Sequence, residues 1–180
     1  MSLEQLWAGW RAGYVASVTT PRSEDELDAS PSATVEEPCV FCSIIASKVD
    51  DEARGVVHDA ALSIALLNAY PYTSGHLLVL PRRHVGNLED LDEYESVELW
   101  KTTRDSVQAI TGAYLPDGIN FGANLGRAAG AGIPGHLHLH VLPRWLGDTN
   151  FMTTVASTRV MPEDLRQSWA KLRASWPKSS

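Results

Sequence analysis

An α+β fold, with an antiparallel sheet of about five strands and two main helices, is what this sequence predicts from three observations. Short apolar runs between Val56 and Leu80 are separated by turn-forming residues. One long stretch, from Leu91 to Ile110, carries helical rather than alternating spacing. A second helical stripe of Leu165, Trp169, Leu172 and Trp176 closes the chain.

The elements follow in order. Leu3, Leu6, Trp7, Trp10 and Tyr14 recur at helical spacing, predicting a short amphipathic helix over residues 3–16. From Thr19 to Pro38 the chain is polar, acidic and without period, as a linker is. This divides the chain into an N-terminal extension, 1–37, and a domain, 38–180. Val56, Val57 and then Ser63 to Leu67 read as strands; Pro71 to Gly75 is turn chemistry, and His76 to Leu80 is a buried strand closed by Pro81. The long helix stands behind the candidate caps Asp90 and Asp92, with Gly112 near its stop and a Glu98–Lys101 pair on its wet face. Ile119 to Asn124 forms a strand leading into a glycine-rich stretch, and His136 to Leu142 is an alternating strand ended by Pro143. The last helix is expected to start at Pro162, a favoured first position.

Composition limits the function. The 180 residues are 44% hydrophobic, enough for one sizeable core. A net charge of −7 excludes a basic field for nucleic acid or anionic membrane, so a phosphate site must create its own positive potential. No apolar run approaches the ~20 residues of a membrane span, and the N-terminus carries an acid where an export signal carries lysines. With Cys39 and Cys42 as the only cysteines, a reduced cytoplasmic setting is the expectation.

The chemistry lies in His136, His138 and His140, which alternate with Leu137, Leu139 and Val141. A strand's period of two puts the three imidazoles on one face and their apolar partners on the core side. Three neighbouring imidazoles point to a metal, an anion or catalysis, since all of them protonated would repel one another. A neutral imidazole fixed through one nitrogen offers the other as a nucleophile, and backbone N–H groups from Gly126 to Gly135, with Asn124, His140 and Arg127, can stabilise a phosphate. A catalytic metal held by the histidines themselves is a poorer fit, because Asp148 is the only acid within ten residues after them.

This alternation resembles the signature of the histidine triad (HIT) family. Asn68 to Pro81 is similar to that family's nucleoside-binding strand pair, and Asn124 to Gly130 to its loop before the histidines. The resemblance implies a HIT-like fold, usually dimeric, in which His138 takes up a nucleoside monophosphate covalently. It implies that His136 orients His138 through its carbonyl, that His140 binds phosphate oxygens and that Asn68 contacts the ribose. Asn124, Gly126, Gly132 and Asn150 are the further nucleotide- or phosphate-binding candidates. The segment Pro143 to Phe151 and the opening Trp7, Trp10, Arg11 and Tyr14 resemble the bacterial branch that includes diadenosine tetraphosphate phosphorylases, where inorganic phosphate is co-substrate. The chain lacks the Gln-Ser pair that many hydrolase-like members carry before the histidines, leaving water and phosphate both open as acceptor. A dinucleoside polyphosphate hydrolase, a nucleoside phosphoramidase and a slow-turnover nucleotide-binding module are the competing readings.

Cys39 and Cys42 have zinc-knuckle spacing. Similarity to triad relatives and uridylyltransferases with two cysteines and two histidines nominates His84 and His136 to complete the site; two inert thiols are the alternative. His58 and His76 are assigned structural places. Trp7, Trp10, Trp169 and Trp176 are expected to cover a homodimer interface or to line the nucleotide cleft.

Overall fold

The computed structural model describes residues 39–148 and 161–178. The expected helix over residues 3–16 with Trp7, Trp10 and Tyr14, the linker after it, and Asn150 lie outside the described residues. Five strands form one antiparallel sheet in the order β1-β2-β3-β5-β4: β1 Val56–Asp59, β2 Ser63–Leu67, β3 Leu77–Pro81, β4 Gly118–Ala123 and β5 Leu139–Arg144. Helices α1 (Val40–Ala46) and α2 (Asp51–Arg54) precede the sheet, α3 (Glu93–Tyr114) lies between β3 and β4, and α4 (Leu165–Ser175) follows β5.

The pleat sorts the central strands onto two cores. Ala65, Leu67, Leu77, Val79, Leu139 and Val141 meet Leu99, Ala109 and Ile110 of α3 and Leu172 of α4. On the other face Ile64, Leu66, Leu78 and Leu80 pack with Phe41 of α1, with Ile44, Ile45 and Ile133 at the margin. Register then places the chemistry: Leu78 pairs with His140 and Leu77 with Val141, so His76 and His140 are diagonal neighbours on the α1 side of the sheet.

Several expected boundaries move. Strand β5 begins at Leu139, leaving His136 and His138 in its approach, and runs through Pro143, which pairs only with Ile119 of β4 beyond the segment joined to β3. A proline is tolerated there because one side asks for no ladder bond. Helix α4 starts at Leu165, not Pro162, because Asp164 accepts from the Gln167 N–H while Gln167 reciprocates. Asp92, not Asp90, caps α3 in the same way with Glu95. The helix passes Gly112 and stops at Leu115, held at φ 45°. Lys101 pairs with Asp105 at 2.7 Å, while Glu98 turns to the Leu62 N–H and the Ser63 hydroxyl.

The stripe Leu91, Tyr94, Val97, Trp100 with Leu99, Val107 and Ile110 that predicts α3 is buried only in part: Leu99 and Ile110 lie in the core and Leu91 and Val107 pack against it. Tyr94, Val97 and Trp100 of that stripe are 78%, 66% and 61% exposed, and Thr102, Thr103, Ser106 and Ala109 complete the buried face beside Leu99 and Ile110. Small and hydroxylic residues let the helix sit close, with Ser63 bonded to Thr102 at 2.8 Å. Trp169 and Trp176 pack on the domain itself: Trp169 donates to the Val56 carbonyl at 2.7 Å, and Trp176 stacks on His58. Neither lines the cleft described below.

Candidate active site

A cleft of about 430 Å³ opens on the α1 side of the sheet. Phe41, Ile44, Leu66, Leu78 and Ile133 supply apolar walls, and Asn68, Asn124, His138 and His140 supply polar ones. Gly130 and Gly132 border it, whereas Gly126 and the exposed Arg127 do not. Gly126 instead takes φ 77° at the start of the Arg127–Ala129 turn and accepts the Ala131 N–H, so it shapes the loop rather than facing the cleft.

Backbone groups that cannot change roles fix the tautomers of His138, His136 and His76, and His76 in turn fixes that of His140. His138 Nδ1 lies 2.8 Å from the His136 carbonyl. A carbonyl only accepts, so Nδ1 carries the proton and Nε2 keeps its lone pair. His136 Nε2 lies 2.9 Å from the Pro81 carbonyl, so by the same argument its free lone pair is on Nδ1. The Tyr72 backbone N–H donates to His76 Nδ1 at 3.1 Å, which leaves the His76 proton on Nε2. That Nε2–H donates to His140 Nδ1 at 2.9 Å, and the neutral His140 ring therefore carries its own proton on Nε2. Burial, and then His138, holds His140 below the usual imidazole range; burial does the same for His136. A lone pair on His138 and a donor on His140, 5.2 Å apart between ring centres, fit a phosphoryl group.

His76 was assigned a structural place from sequence, and the structure gives it this relay. The signal was thin: only strand pairing, which sequence spacing does not reveal, sets it beside His140. The ring nitrogens of His136, His138 and His140 hold different partners and do not converge on one ion. Asn68, besides bordering the cleft, accepts the Tyr70 N–H at 2.9 Å and reaches His76 with its amide at 3.4 Å.

Behind His136 lies a second arrangement. Cys39 Sγ and Cys42 Sγ are 3.4 and 3.6 Å from His136 Nδ1, and Cys42 Sγ is 3.3 Å from His84 Nδ1. The four donor atoms lie within 4.8 Å of one another, the one such cluster among the described residues. A tetrahedral zinc with sulfur at about 2.3 Å and nitrogen at about 2.0 Å has donor separations of roughly 3.3–3.8 Å, which the thiol–imidazole separations of 3.3, 3.4 and 3.6 Å match. Burial and the neighbouring Cys39 push the Cys42 thiol up, a shift that a bound dication would offset by favouring the thiolate.

Residues 51–145 match the HIT domain family. The chain is 40% identical over 174 residues to AP-4-A phosphorylase of Mycobacterium tuberculosis, covering 97% of this chain and 85% of that protein. Among solved structures it resembles a zinc-bound histidine triad family protein of Mycobacterium smegmatis, with TM-score 0.61 and 30% identity over 76% of this chain and 91% of the other. A histidine triad nucleotide-binding protein of Sulfolobus tokodaii gives TM-score 0.62 and 32% identity at the same coverage, 76% and 91%.

Proposed function

The chain belongs to the HIT domain family, and on that premise we propose that it is an enzyme that phosphorolyses diadenosine tetraphosphate to ADP and ATP through a nucleotidyl-His138 intermediate. The observation that carries the reading is the 2.8 Å bond from His138 Nδ1 to the His136 carbonyl, which presents Nε2 as a nucleophile without first removing a proton. Similarity to the mycobacterial AP-4-A phosphorylase supports the substrate and phosphate as acceptor.

The adenine enters the slot of Phe41, Ile44, Leu66, Leu78 and Ile133, while Asn68 meets the ribose hydroxyls. Nε2 of His138 forms a bond to the α-phosphorus, and the bond to the bridging oxygen breaks with its electron pair leaving on ATP. The His140 Nε2–H and N–H groups near Gly130 and Gly132 hold the phosphoryl oxygens as charge grows on them. An oxygen of inorganic phosphate then attacks the phosphorus, the P–N bond breaks back onto Nε2, and ADP departs.

Cys39, Cys42, His84 and His136 hold a structural zinc in this reading, stable in the reducing cytoplasm. Zinc supplies a fixed crosslink between the chain entering the domain and the histidine strand. One zinc per chain in protein purified without chelator is expected on elemental analysis. The active form is a homodimer: Phe121 on edge strand β4 is 55% exposed and contacts the exposed Trp100 of α3, beside Tyr94 and Val97. Sedimentation at twice the chain mass checks this.

Incubation with diadenosine tetraphosphate, with and without inorganic phosphate, followed by ion-exchange separation, tests the activity. ADP plus ATP only when phosphate is present is expected. AMP plus ATP regardless of phosphate makes the enzyme a hydrolase and overturns the acceptor.

A further inference from the structure

The turn between β2 and β3 carries a residue that the reaction has not yet used. Tyr72 touches the histidine relay twice. Its backbone N–H fixes the His76 tautomer at 3.1 Å, and its ring lies 4.7 Å from the His76 ring and 5.8 Å from that of His140, only 15° from parallel to the latter. The residue is 45% exposed and borders the cleft beside Asn68, His138 and His140, so its ring lines the cleft against His140 rather than filling a core.

We propose that Tyr72 is a positioning and specificity residue: its ring, stacked on His140, aims that imidazole at the phosphoryl oxygens and screens the intermediate from water, favouring phosphate as acceptor. This rests on the reading of His138 as nucleophile and phosphate as co-substrate. Both acceptors make and break the same bonds. An acceptor oxygen bonds to phosphorus, the P–N bond breaks onto His138 Nε2, and the product is ADP from phosphate or AMP from water, whose displaced proton goes to solvent. Water is abundant and small, so a site selects phosphate only by offering oriented donors and by denying water a place. An aromatic ring stacked offset on an imidazole does both: it limits rotation of the donor and covers one of its faces with an apolar surface.

The backbone bond to His76 survives any substitution of the side chain except proline, so a side-chain series isolates the ring. Tyr72→Phe, Tyr72→Leu and Tyr72→Ala would be compared for kcat, KM for diadenosine tetraphosphate, and the AMP-to-ADP ratio at saturating phosphate, with thermal melting to confirm folding. Tyr72→Ala and Tyr72→Leu are expected to lower kcat about 10-fold while KM moves less than about threefold, since a positioning contact acts on the transition state. The AMP share should rise in both, and Tyr72→Phe should restore the low-AMP pattern.

An unchanged AMP share in folded Tyr72→Ala overturns the proposal, as does a rise in KM alone. An equal effect in Tyr72→Phe also overturns it, because the hydroxyl rather than the ring would then be responsible. The underlying reading fails separately: wild-type protein forming AMP regardless of phosphate, or His138→Ala retaining turnover, overturns the acceptor or the nucleophile before any Tyr72 variant is compared.

Discussion

At the scale of residues, the proposed reaction depends on which nitrogen of His138 and of His140 holds the proton, and backbone groups set this at both ends of the array. The His136 carbonyl can only accept from His138, and the Tyr72 N–H can only donate to His76. His138→Ala is expected to reduce turnover by on the order of a thousandfold or more while nucleotide affinity stays within about 10-fold, because the proposed reaction loses its nucleophile and few contacts with it. Steady-state kinetics with equilibrium binding of a non-reacting nucleotide separates the two. His76→Ala removes the donor that fixes His140, and an expected loss of about 10- to 100-fold in kcat is smaller than deleting a phosphate donor outright. The three alternating histidines were legible because a strand's period is two. His76 was not, because its place beside His140 depends on the pairing of Leu78 with His140 across the sheet.

At the scale of elements, α3 shows why existence is easier to read than orientation. Its caps and spacing are local properties of the chain, but the buried face follows from what the sheet presents, with Ser63 meeting Thr102 while Tyr94, Val97 and Trp100 stay exposed. Asp92→Ala removes half of the capping box and is expected to cost about 1 kcal/mol in denaturant unfolding. The Arg83 guanidinium beside Glu95, with the Asp92 N–H, lowers the Glu95 carboxyl from 4.5 to about 2 against the opposing effect of burial. Folded protein therefore binds this proton more weakly than the unfolded chain does. The stabilisation is complete above the ordinary carboxylate range and fades as pH falls from 4.5 toward about 2. Glu95→Gln should flatten that part of the stability-pH curve and leave its neutral part parallel to wild type. In the turn before His76, Gly75 sits at φ 76°, and a Cβ there would fall 2.4 Å from the Tyr114 ring. Gly75→Ala is expected to cost more than about 2 kcal/mol, from the left-handed backbone and the clash together.

At the scale of the whole molecule, the Cys39, Cys42, His84 and His136 cluster joins segments far apart in sequence at the rear of the histidine strand. On the proposed zinc site, a chelator is expected to lower the thermal midpoint by roughly 10 °C, and added zinc to restore it, because such a crosslink would form only in the folded state. A midpoint indifferent to chelator and to zinc would remove the metal from the stability of the fold. The net charge of −7 leaves no general field for phosphate, which is why donors concentrated in one cleft carry the binding.

By itself the sequence determined the fold class, the long helix and its cap, the histidine face and the cysteine spacing, since each depends on periods and short-range chemistry written along the chain. The meeting of His84 and His136 with the two cysteines was already nominated by the family resemblance and is matched by the structure. Tertiary structure alone decided the rest. Strand register set His76 against His140, and packing turned Tyr94, Val97 and Trp100 of α3 outward and Trp169 and Trp176 inward. These are relations between residues distant in sequence, fixed by which surfaces bury one another best, and no local pattern encodes them.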